Sequence, residues 1–250
     1  MLSLVGLGLW DEKDMTLRGL DEARKADIVF LESYTSRLMG LDKKKLEELV
    51  GKKIKEADRE FIESGEILKH AEKDNVCVLV GGDPMVATTH ADLVLRAREK
   101  NIPLKIVHNA SIYSAVCETG LQAYKFGRSA TIVFWENNYK PASFYDVMAK
   151  NKELGLHTLF FLDLHAHENK FMTVREALQE LLEISEEKRD SIITLGTKVI
   201  AVSRLGSPEQ KIVYDTVEKI MGMNLPPLSV IIVPGDLHPV EKEFLCKAQK

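Results

Sequence analysis

The stretch CVLVGGDPMVATTH, residues 77–90, decides the fold. Its first four residues, 77–80, form a short apolar run typical of a buried strand, and two glycines, an acid and a proline follow at once. Gly81 and Gly82 have no side chain, so a ligand can approach the backbone closely there. Pro84 suits the first turn of a helix. The stretch therefore predicts a strand, a turn open to a ligand and a helix, which is the repeating unit of an α/β protein.

The same alternation of apolar runs and helical segments extends outward from this stretch in both directions. Up to residue 109, we expect strands at residues 2–5, 28–31, around 54, 77–80 and 104–107. The helices expected between them cover residues 16–26, 42–51, 60–73 and 87–100. Beyond residue 109, we expect strands at 131–134, 157–162, 199–203 and 230–233, and helices at 143–154, from 173 to the charge run 186–190, and after 239.

This order predicts two α/β domains, residues 1–109 and 110–250, each with a mainly parallel sheet flanked by helices. No repeat of fixed period and no low-complexity linker is present, so we expect the domains to pack together. Open α/β sheets bind ligands at the carboxyl ends of strands, and a two-domain chain also offers a cleft between its domains. A binding site is therefore expected at the strand ends.

The composition disfavours several classes of function. The net charge is -4 and the pI is about 6.0, which argues against a protein whose main task is to bind nucleic acid. Three widely separated cysteines match neither a disulfide framework nor a metal motif, and they indicate reduced thiols in the cytoplasm. No apolar run reaches the roughly 18 residues of a membrane span. The apolar start meets Asp11 and Glu12 without a basic segment, which predicts a first strand and no signal peptide.

The glycines at the first strand end and the acid at residue 83 both allow a plain structural interpretation. Gly6-Leu7-Gly8 could open a dinucleotide-binding GxGxxG motif, but Asp11 stands where the third glycine belongs, and no helix is expected before Thr16. Asp83, a lone aspartate before a proline, is most simply a helix N-cap. The polar residues 88–90 could instead bond a neutral or cationic ligand. No P-loop lysine or serine is present, which argues against nucleoside triphosphates.

Other polar groups give weaker signals. His165 and His167 would share one face of a strand, yet no third ligand follows at a metal-binding spacing, so we predict no metal site. Arg204 at a strand end fits a ligand contact and an ordinary surface arginine equally well. Neither a GxSxG elbow nor a Ser-His-Asp order is present, so hydrolytic nucleophilic catalysis has no support.

Five segments spread over nearly the whole chain resemble the tetrapyrrole methylase superfamily, and within it the diphthine synthase family. They are GLGLWDEKDMT near the start, GDPMVATTHADL at 82–93, HNASIYSAVCETGLQAYKFGRSATI at 108–132, GLHTLFFLDL at 155–164 and VPGDLHPVE at 233–241. The segment at 108–132 is the most specific, whereas the GDP segment alone marks only the superfamily. The resemblance implies a two-domain α/β fold that binds S-adenosylmethionine in the cleft between its domains.

The resemblance also implies a reaction and a partner. A histidine of translation elongation factor 2 carries a 3-amino-3-carboxypropyl group, whose amine is methylated by S-adenosylmethionine to give diphthine in diphthamide biosynthesis. Archaeal-type members add three methyl groups, and eukaryotic relatives are credited with a further ester methylation. The motifs do not separate the two types, and the lack of an obvious terminal extension favours trimethylation. The implied protein is a cytoplasmic, homodimeric S-adenosylmethionine-dependent N-methyltransferase without nucleic-acid or membrane partners.

Carried over by position, the resemblance implies cofactor contacts for eight residues of this sequence. They are Leu9, Asp83, Val86, Ser111, Ile112, Leu162, Leu205 and Ser229. S-adenosylmethionine has a sulfonium and no phosphate, which agrees with a glycine-rich strand end that has an acid and no lysine. No catalytic residue is assigned. Trp135 and Tyr139 could face the growing trimethylammonium, although ordinary packing is the simpler interpretation.

Three other functions stay open. A corrin or porphyrinoid C-methyltransferase on the same fold would need basic residues around its carboxylate-rich substrate, and the strand ends offer little beyond Arg204. A ribose methyltransferase acting on ribosomal RNA is disfavoured by the acidic balance. A non-catalytic S-adenosylmethionine-binding module would keep the pocket without turnover.

Overall fold

The computed structural model describes residues 1–34, 38–136 and 139–247, with the backbone alone at residue 167. These residues form two compact units, unit 1 (Met1–Ala115) and unit 2 (Val116–Lys250). The predicted α/β class is confirmed, because each unit contains a sheet together with helices. The predicted domain boundary after residue 109 stays a prediction.

The sheet of unit 1 is parallel, as predicted for the first domain. Its strands are β1 (Leu2–Gly6), β2 (Ile28–Glu32), β3 (Ile54–Ala57), β4 (Val76–Val80) and β5 (Leu104–Val107). They pair in the order β3-β2-β4-β1-β5. Since β4 and β5 flank β1 in parallel, the carboxyl ends of these three strands lie side by side at one edge of the sheet.

The helices of unit 1 differ from the predicted ones at two places. They are α1 (Leu17–Lys25), α2 (Lys43–Val50), α3 (Arg59–Ser64), α4 (Glu66–Ala71), α5 (His90–Glu99) and α6 (Ile112–Ala115). Gly65, with φ of 85°, separates α3 from α4 where one helix was predicted, and glycine adopts this left-handed conformation readily. The helix expected soon after Pro84 begins only at His90, behind a series of turns. Asp83 is therefore not a helix N-cap.

Both faces of this sheet are covered at the central strand β4, which explains why β4 is a continuous apolar run, whereas the edge strands β3 and β5 expose Lys55, Glu56 and Lys105. Successive side chains of a strand point to opposite faces. In β4, Val76, Val78 and Val80 join a buried cluster with residues of α3, α4 and α5. Cys77 and Leu79 join a second cluster with residues of α1 and α2. The apolar run therefore identifies the strand because every one of its positions is buried.

The main sheet of unit 2 is mostly antiparallel, so the parallel sheet predicted for the second domain is wrong. The strands are β6 (Ala130–Ile132), β7 (Thr158–Leu162), β8 (Leu164–His165), β9 (Lys170–Phe171), β10 (Lys198–Ser203), β11 (Lys211–Thr216) and β12 (Ser229–Val233). The larger sheet has the order β11-β10-β12-β7-β6, and among its pairs β6–β7 is parallel while the others are antiparallel. The strands β8 and β9 form a small antiparallel pair.

A missed strand explains this error. Residues 204–210 join β10 directly to β11, and so short a connection permits antiparallel neighbours, whereas parallel neighbours require a crossover of about a dozen residues or more. β11 was not predicted, because its segment KIVYDT alternates poorly. Its first position is exposed and the others are half-buried at the edge of the sheet. Without β11, strand direction cannot be obtained from apolar runs alone.

The helices of unit 2 cover the sheet with an apolar cluster. They are α7 (Ser143–Glu153), α8 (Val174–Lys188), α9 (Val217–Met221) and α10 (Pro239–Lys247). Phe144 of α7, Leu181 of α8 and Ile220 of α9 pack in one cluster with sheet residues such as Phe160. α8 begins as predicted at Thr173, whose hydroxyl accepts the Glu176 N–H in a capping box. Among the described residues, no helix is long and apolar enough to cross a bilayer.

The helix α8 also buries a carboxylate. Glu180 is 9% exposed, and its Oε2 has no hydrogen-bond partner within the described part of the chain. Burial raises the pKa of Glu180 to about 7, despite a hydrogen bond from the backbone of Trp135 that lowers it. The folded protein therefore favours the protonated form of this group.

We expect Glu180→Gln to stabilise the protein by about 1–2 kcal/mol at pH 8 and to have little effect at pH 4. An unfolded glutamate titrates near 4.3, so the stability associated with Glu180 is present below that pH and is lost as the pH rises towards about 7. Denaturant titrations of both proteins across this range measure the effect. Glu187→Gln on the same helix, at an exposed residue, is the control. A constant difference at all pH values would contradict the prediction.

Candidate ligand-binding edges of the two sheets

The predicted residues of unit 1 lie where β1, β4 and β5 end. Leu9 follows β1, Asp83 and Val86 follow β4, and Ser111 and Ile112 follow β5. Ser111 and Asp83 are buried, and the other three are partly exposed. A Cβ placed on Gly82 would lie 3.8 Å from the Ser111 Cβ, so the turns after β4 and β5 are in contact. The parallel order of the strands thus brings these turns together.

The glycines of this edge hold the turns against one another. Gly8 and Gly82 exchange two backbone hydrogen bonds, of 3.2 Å from the Gly8 N–H and 2.7 Å from the Gly82 N–H. Both residues have positive φ, 85° and 72°. A Cβ on Gly6 would lie 2.5 Å from the Gly82 oxygen and 2.8 Å from the Asn109 Cβ. The glycines are therefore needed for close approach of one turn to another, and the N–H of Gly82 is used within the protein.

The carboxylate of Asp83 is bound by the protein on both of its oxygens. Oδ1 accepts the Met85 N–H at 2.9 Å, and Oδ2 accepts the Asn109 N–H at 3.1 Å. The Nδ1 of His108 lies 2.8 Å from the same Oδ2. Asp83 is 6% exposed, whereas the His108 side chain is 69% exposed. The aspartate thus joins the turns after β4 and β5, a role that its position before a proline did not reveal.

Two further residues that the sequence analysis missed complete this edge. The side-chain amide of Asn109 donates to the backbone oxygens of Gly6 and Asp14, both at 2.9 Å. The Asp14 carboxylate accepts the N–H of Leu9 at 3.1 Å and that of Trp10 at 2.7 Å. The position of Asn109 just after β5 was the available signal, because loop residues at strand ends often orient a site. Asp14 lies in the short helical turn Glu12–Asp14, well beyond the end of β1, and had no such signal.

The polar residues 88–90, expected to meet a ligand, are bonded within unit 1. The imidazole of His90 is fully buried, and its Nδ1 lies 2.9 Å from the Pro84 oxygen and 2.9 Å from the Thr88 hydroxyl. The Thr89 hydroxyl lies 3.1 Å from the Tyr34 hydroxyl. His90 therefore anchors the turn after β4, and a contact of these residues with a ligand stays a prediction.

The predicted residues of unit 2 lie together at one edge of its sheet. Leu162 ends β7, Leu205 follows β10 and Ser229 begins β12. β12 is antiparallel to both β7 and β10, so its first residue lies beside their last residues. Leu162 and Leu205 are 9% and 7% exposed, and Ser229 is half-buried with its hydroxyl donating to the Pro226 oxygen.

Arg204 forms its polar contacts within unit 2. Its backbone N–H donates to the Leu228 oxygen at 2.8 Å, and its Nε donates to the Pro227 oxygen at 2.8 Å. Its Nη1 forms an ion pair with Glu209. These contacts tie the end of β10 to the approach to β12, so the guanidinium is engaged in structural bonds rather than presented as a surface cation.

The aromatic residues after β6 are packed in different ways. Trp135 packs against the apolar cluster of unit 2, and the ammonium of Lys140 lies 4.3 Å from its ring centroid. Tyr139 is 69% exposed. Residues 137 and 138 of the predicted loop lie outside the described residues. One face of the Trp135 ring therefore already carries a cation, and a role of either residue towards a substrate cation stays a prediction.

A buried acid joins three segments of unit 2. Glu241 is fully buried and accepts the Lys125 ammonium at 2.8 Å, the His157 Nε2–H at 3.1 Å and the His238 N–H at 2.7 Å. His157 Nδ1 accepts the Gly235 N–H at 2.9 Å. Burial alone would raise the pKa of Glu241, but these hydrogen bonds lower it to about 2. Burial lowers the pKa of His157. The network therefore contains a charged acid and a neutral imidazole.

The pair of histidines after β7 can be described only in part. His165 lies 3.4 Å from Glu168 and 3.9 Å from Asp163. The side chain of His167 lies outside the described residues. Within the described part, no three His, Cys, Asp or Glu side chains are grouped as a metal site would require.

The edge of unit 1 has the chemistry of a site for a ligand without phosphate. Residues 6–10, 81–86 and 108–112 contain no lysine or arginine, and anionic phosphates are normally met by such cations. Its polar groups are instead Asp83, His108, Asn109 and Ser111, which suit a cationic or neutral ligand. The glycines let the turns after β1 and β4 pack closely at this edge. This donor set fits the S-adenosylmethionine that the family resemblance implies.

Comparisons with known proteins agree with one another. A model of the family described as tetrapyrrole (corrin/porphyrin) methylases matches residues 1–221. The chain is 47% identical to a diphthine methyl ester synthase of Schizosaccharomyces pombe, covering 98% of this chain and 93% of the relative. It is 44% identical to a diphthine synthase of Methanocaldococcus jannaschii, covering 99% of each. A solved structure of diphthine synthase superimposes with a TM-score of 0.88 at 36% identity, covering 98% of this chain and 94% of that one.

Proposed function

The chain belongs to the tetrapyrrole (corrin/porphyrin) methylase family, and on that premise we propose that it methylates translation elongation factor 2 in diphthamide biosynthesis. S-adenosylmethionine is consumed as the methyl-donating substrate. The acceptor is the amine of the 3-amino-3-carboxypropyl group on a histidine of the factor, and three methylations give diphthine. The observation that carries the proposal is the near-complete coverage of relatives named diphthine methyl ester synthase and diphthine synthase, at 47% and 44% identity.

The edge of unit 1 supports this assignment chemically. The donor substrate supplies an activated methyl group, and the chain must hold it in line with the attacking amine, because orientation accounts for much of the rate of such displacements. Leu9, Asp83, Val86, Ser111 and Ile112 are the contacts we propose in this unit. Asp83 acts by fixing the turns after β4 and β5, since both of its oxygens are already bound by N–H groups.

Leu162, Leu205 and Ser229 of unit 2 are proposed contacts as well. Two of these are apolar and nearly buried, which suits the adenine of the donor, because adenine pockets are mostly apolar with a few backbone partners. Ser229 can offer polar atoms beside them. Leu162 lies in the segment 155–164 that resembles the family, and Leu205 and Ser229 lie at the same edge of the sheet, which is the support for including them.

The alternatives have less support. A tetrapyrrole C-methyltransferase would bind a substrate rich in carboxylates, and Arg204, the cation that the sequence offered for it, is engaged with Pro227 and Glu209. A non-catalytic binding module would give donor binding without any transfer. The same transfer experiment separates all three functions.

The experiment uses labelled S-adenosylmethionine and three acceptors. These are elongation factor 2 carrying the 3-amino-3-carboxypropyl group, the unmodified factor, and a tetrapyrrole precursor. We expect label on the first acceptor only. Mass spectrometry before and after mild alkali then counts the methyl groups, because an ester is hydrolysed and a quaternary ammonium is not. Label on the tetrapyrrole, or none on any acceptor although the donor binds, would overturn the proposal.

We expect Ser111→Trp to abolish methyl transfer while leaving the fold intact. Ser111 is 7% exposed and contacts the Gly82 turn, so an indole there must project over the proposed donor site. Calorimetry should show at least a 100-fold loss of donor affinity, which is about 2.7 kcal/mol. Leu95→Trp, at a side chain of α5 that is 57% exposed, is the control. Retained transfer in Ser111→Trp would exclude this edge as the site.

The proposal includes two properties of the protein in the cell. We place it in the cytoplasm, where translation elongation factor 2 acts, and we expect a homodimer, as the resemblance implies. Light scattering of the purified protein measures the second property directly.

A further inference from the structure

We propose that His108 is the general base that takes the proton from the acceptor ammonium, with Asp83 holding its ring. This inference rests on the proposed function and adds a catalytic residue to it. At neutral pH an aliphatic amine is mostly protonated and has no lone pair for attack. A base beside the reacting amine would therefore accept the proton that must leave before each of the three methylations.

The geometry is that of an oriented histidine. Asp83 Oδ2 lies 2.8 Å from His108 Nδ1. Since a carboxylate accepts hydrogen bonds, this contact assigns the ring proton to Nδ1 and leaves the lone pair on Nε2. Asp83 is itself fixed by the N–H groups of Met85 and Asn109. A carboxylate that orients an imidazole in this way is the arrangement by which histidines are prepared as bases.

Asp83 is buried and His108 is exposed, as expected for an orienting carboxylate and a base that must reach its substrate. The Asp83 side chain is 6% exposed, so it is held in the protein, while the His108 side chain is 69% exposed. His108 directly follows β5, at the same edge as the proposed donor contacts Ser111 and Leu9. An exposed ring can reach a protein-bound amine and can release its proton to water between successive methylations.

The other charged groups on neighbouring elements are engaged elsewhere. The Asp14 carboxylate accepts the N–H groups of Leu9 and Trp10. Lys105, on β5, pairs with Glu22 of α1 at 2.5 Å. Asp83 is thus the charged group in contact with the imidazole among the residues described.

The proton and electron balance is simple. His108 Nε2 takes one proton from the ammonium, and the freed lone pair of the amine forms a bond to the methyl carbon. The sulfur–methyl bond breaks, and its electron pair stays on sulfur, leaving S-adenosylhomocysteine. The new methylammonium carries the charge that the sulfonium lost, and His108 returns its proton to water. The amine can repeat the cycle until no N–H remains.

The test compares His108→Ala and His108→Gln with the unaltered protein on elongation factor 2 bearing the 3-amino-3-carboxypropyl group. General base catalysis typically contributes about 100-fold or more, so we expect kcat/KM at pH 7 to fall about 100-fold in both variants. Calorimetry should show S-adenosylmethionine binding within about twofold of the unaltered protein. His238→Ala, which removes another exposed imidazole, should leave kcat/KM unchanged.

Two readouts separate a base from a structural residue. Added imidazole should restore part of the activity of His108→Ala and none to Ser111→Trp, because only the first has lost a proton acceptor. The pH profile of kcat/KM should differ between the unaltered protein and His108→Gln, because only the unaltered protein carries the proposed base. Unchanged kcat/KM in His108→Ala, or a loss without rescue by imidazole, would overturn the inference. Failure of the unaltered protein to label the factor would instead overturn the proposed function.

Discussion

Replacing Glu241 with alanine is expected to lower the free energy of unfolding by about 3–5 kcal/mol. The carboxylate is fully buried and accepts from Lys125, His157 and the N–H groups of Gln122 and His238. Its removal leaves the N–H donors of Gln122, His157 and His238 without this acceptor, while the Lys125 ammonium keeps only the Asp236 oxygen and loses its counter-charge. Most of the expected loss in the free energy of unfolding comes from donors that no longer have an acceptor, rather than from the attraction within one ion pair.

The matched control is Glu243→Ala, two residues further along the same helix. That residue pairs with Lys247, and both side chains are mostly exposed, at 65% and 74%. Exposed pairs of this kind contribute about 0–1 kcal/mol, so the control should change stability within that range. Denaturant titration followed by far-UV circular dichroism measures both variants. Equal effects of the two substitutions would show that the buried network does not stabilise unit 2.

The pH dependence gives an independent check of the same network. The pKa of Glu241 is held at about 2 in the folded protein, below the value near 4.3 of an unfolded glutamate. Its contribution is therefore present above about pH 4.3 and is lost as the pH falls towards 2. The stability difference between the unaltered protein and Glu241→Ala should shrink over that interval. A difference that stays constant between these limits would contradict the assigned charge state.

The central strand of unit 1 could be predicted from the sequence because burial on both of its faces requires apolar residues, and an apolar run is easily recognised. A parallel strand covered on both faces has only apolar positions, so β4 is visible as the unbroken run of residues 76–80. In unit 2, one strand is not marked by such a run. β11 lies at the edge of its sheet with half-buried positions, and its direction depends on the short link 204–210. The composition of a strand does not tell whether it runs parallel or antiparallel to its neighbours. That direction could not be predicted here without recognising β11 and its short link to β10.

The location of the site could be predicted from the sequence, but most of the contacts among its residues could not. Gly81, Gly82 and Asp83 identified the end of β4 from the sequence, and the structure brings this turn to the ends of β1 and β5. The bond between Asp83 and His108 was not predictable, because it joins residues 25 positions apart. Its formation depends on β1 lying between β4 and β5, which is a property of strand order rather than of either motif.

Replacing Gly6 with alanine is the substitution that we expect to damage the unit 1 edge most. The new Cβ would lie 2.5 Å from the Gly82 oxygen, 2.8 Å from the Asn109 Cβ and 3.1 Å from the Pro84 Cδ. These atoms belong to the turns after β4 and β5, and backbone cannot move aside as a flexible side chain can. Overpacking at such a site costs about 1–3 kcal/mol in stability.

The same clash should separate the turns that hold the proposed donor substrate, so we expect calorimetry to show at least a 100-fold loss of S-adenosylmethionine affinity, about 2.7 kcal/mol. Gly196→Ala is the control, because its Cβ would meet only the Thr194 hydroxyl at 3.9 Å. Thermal unfolding without ligand measures the clash separately from binding. A destabilised Gly6→Ala that still binds the donor normally would place the donor away from this edge. Unchanged stability of Gly6→Ala would instead show that the turns can separate enough to accept a methyl group. Their close approach would then not explain the glycine at residue 6.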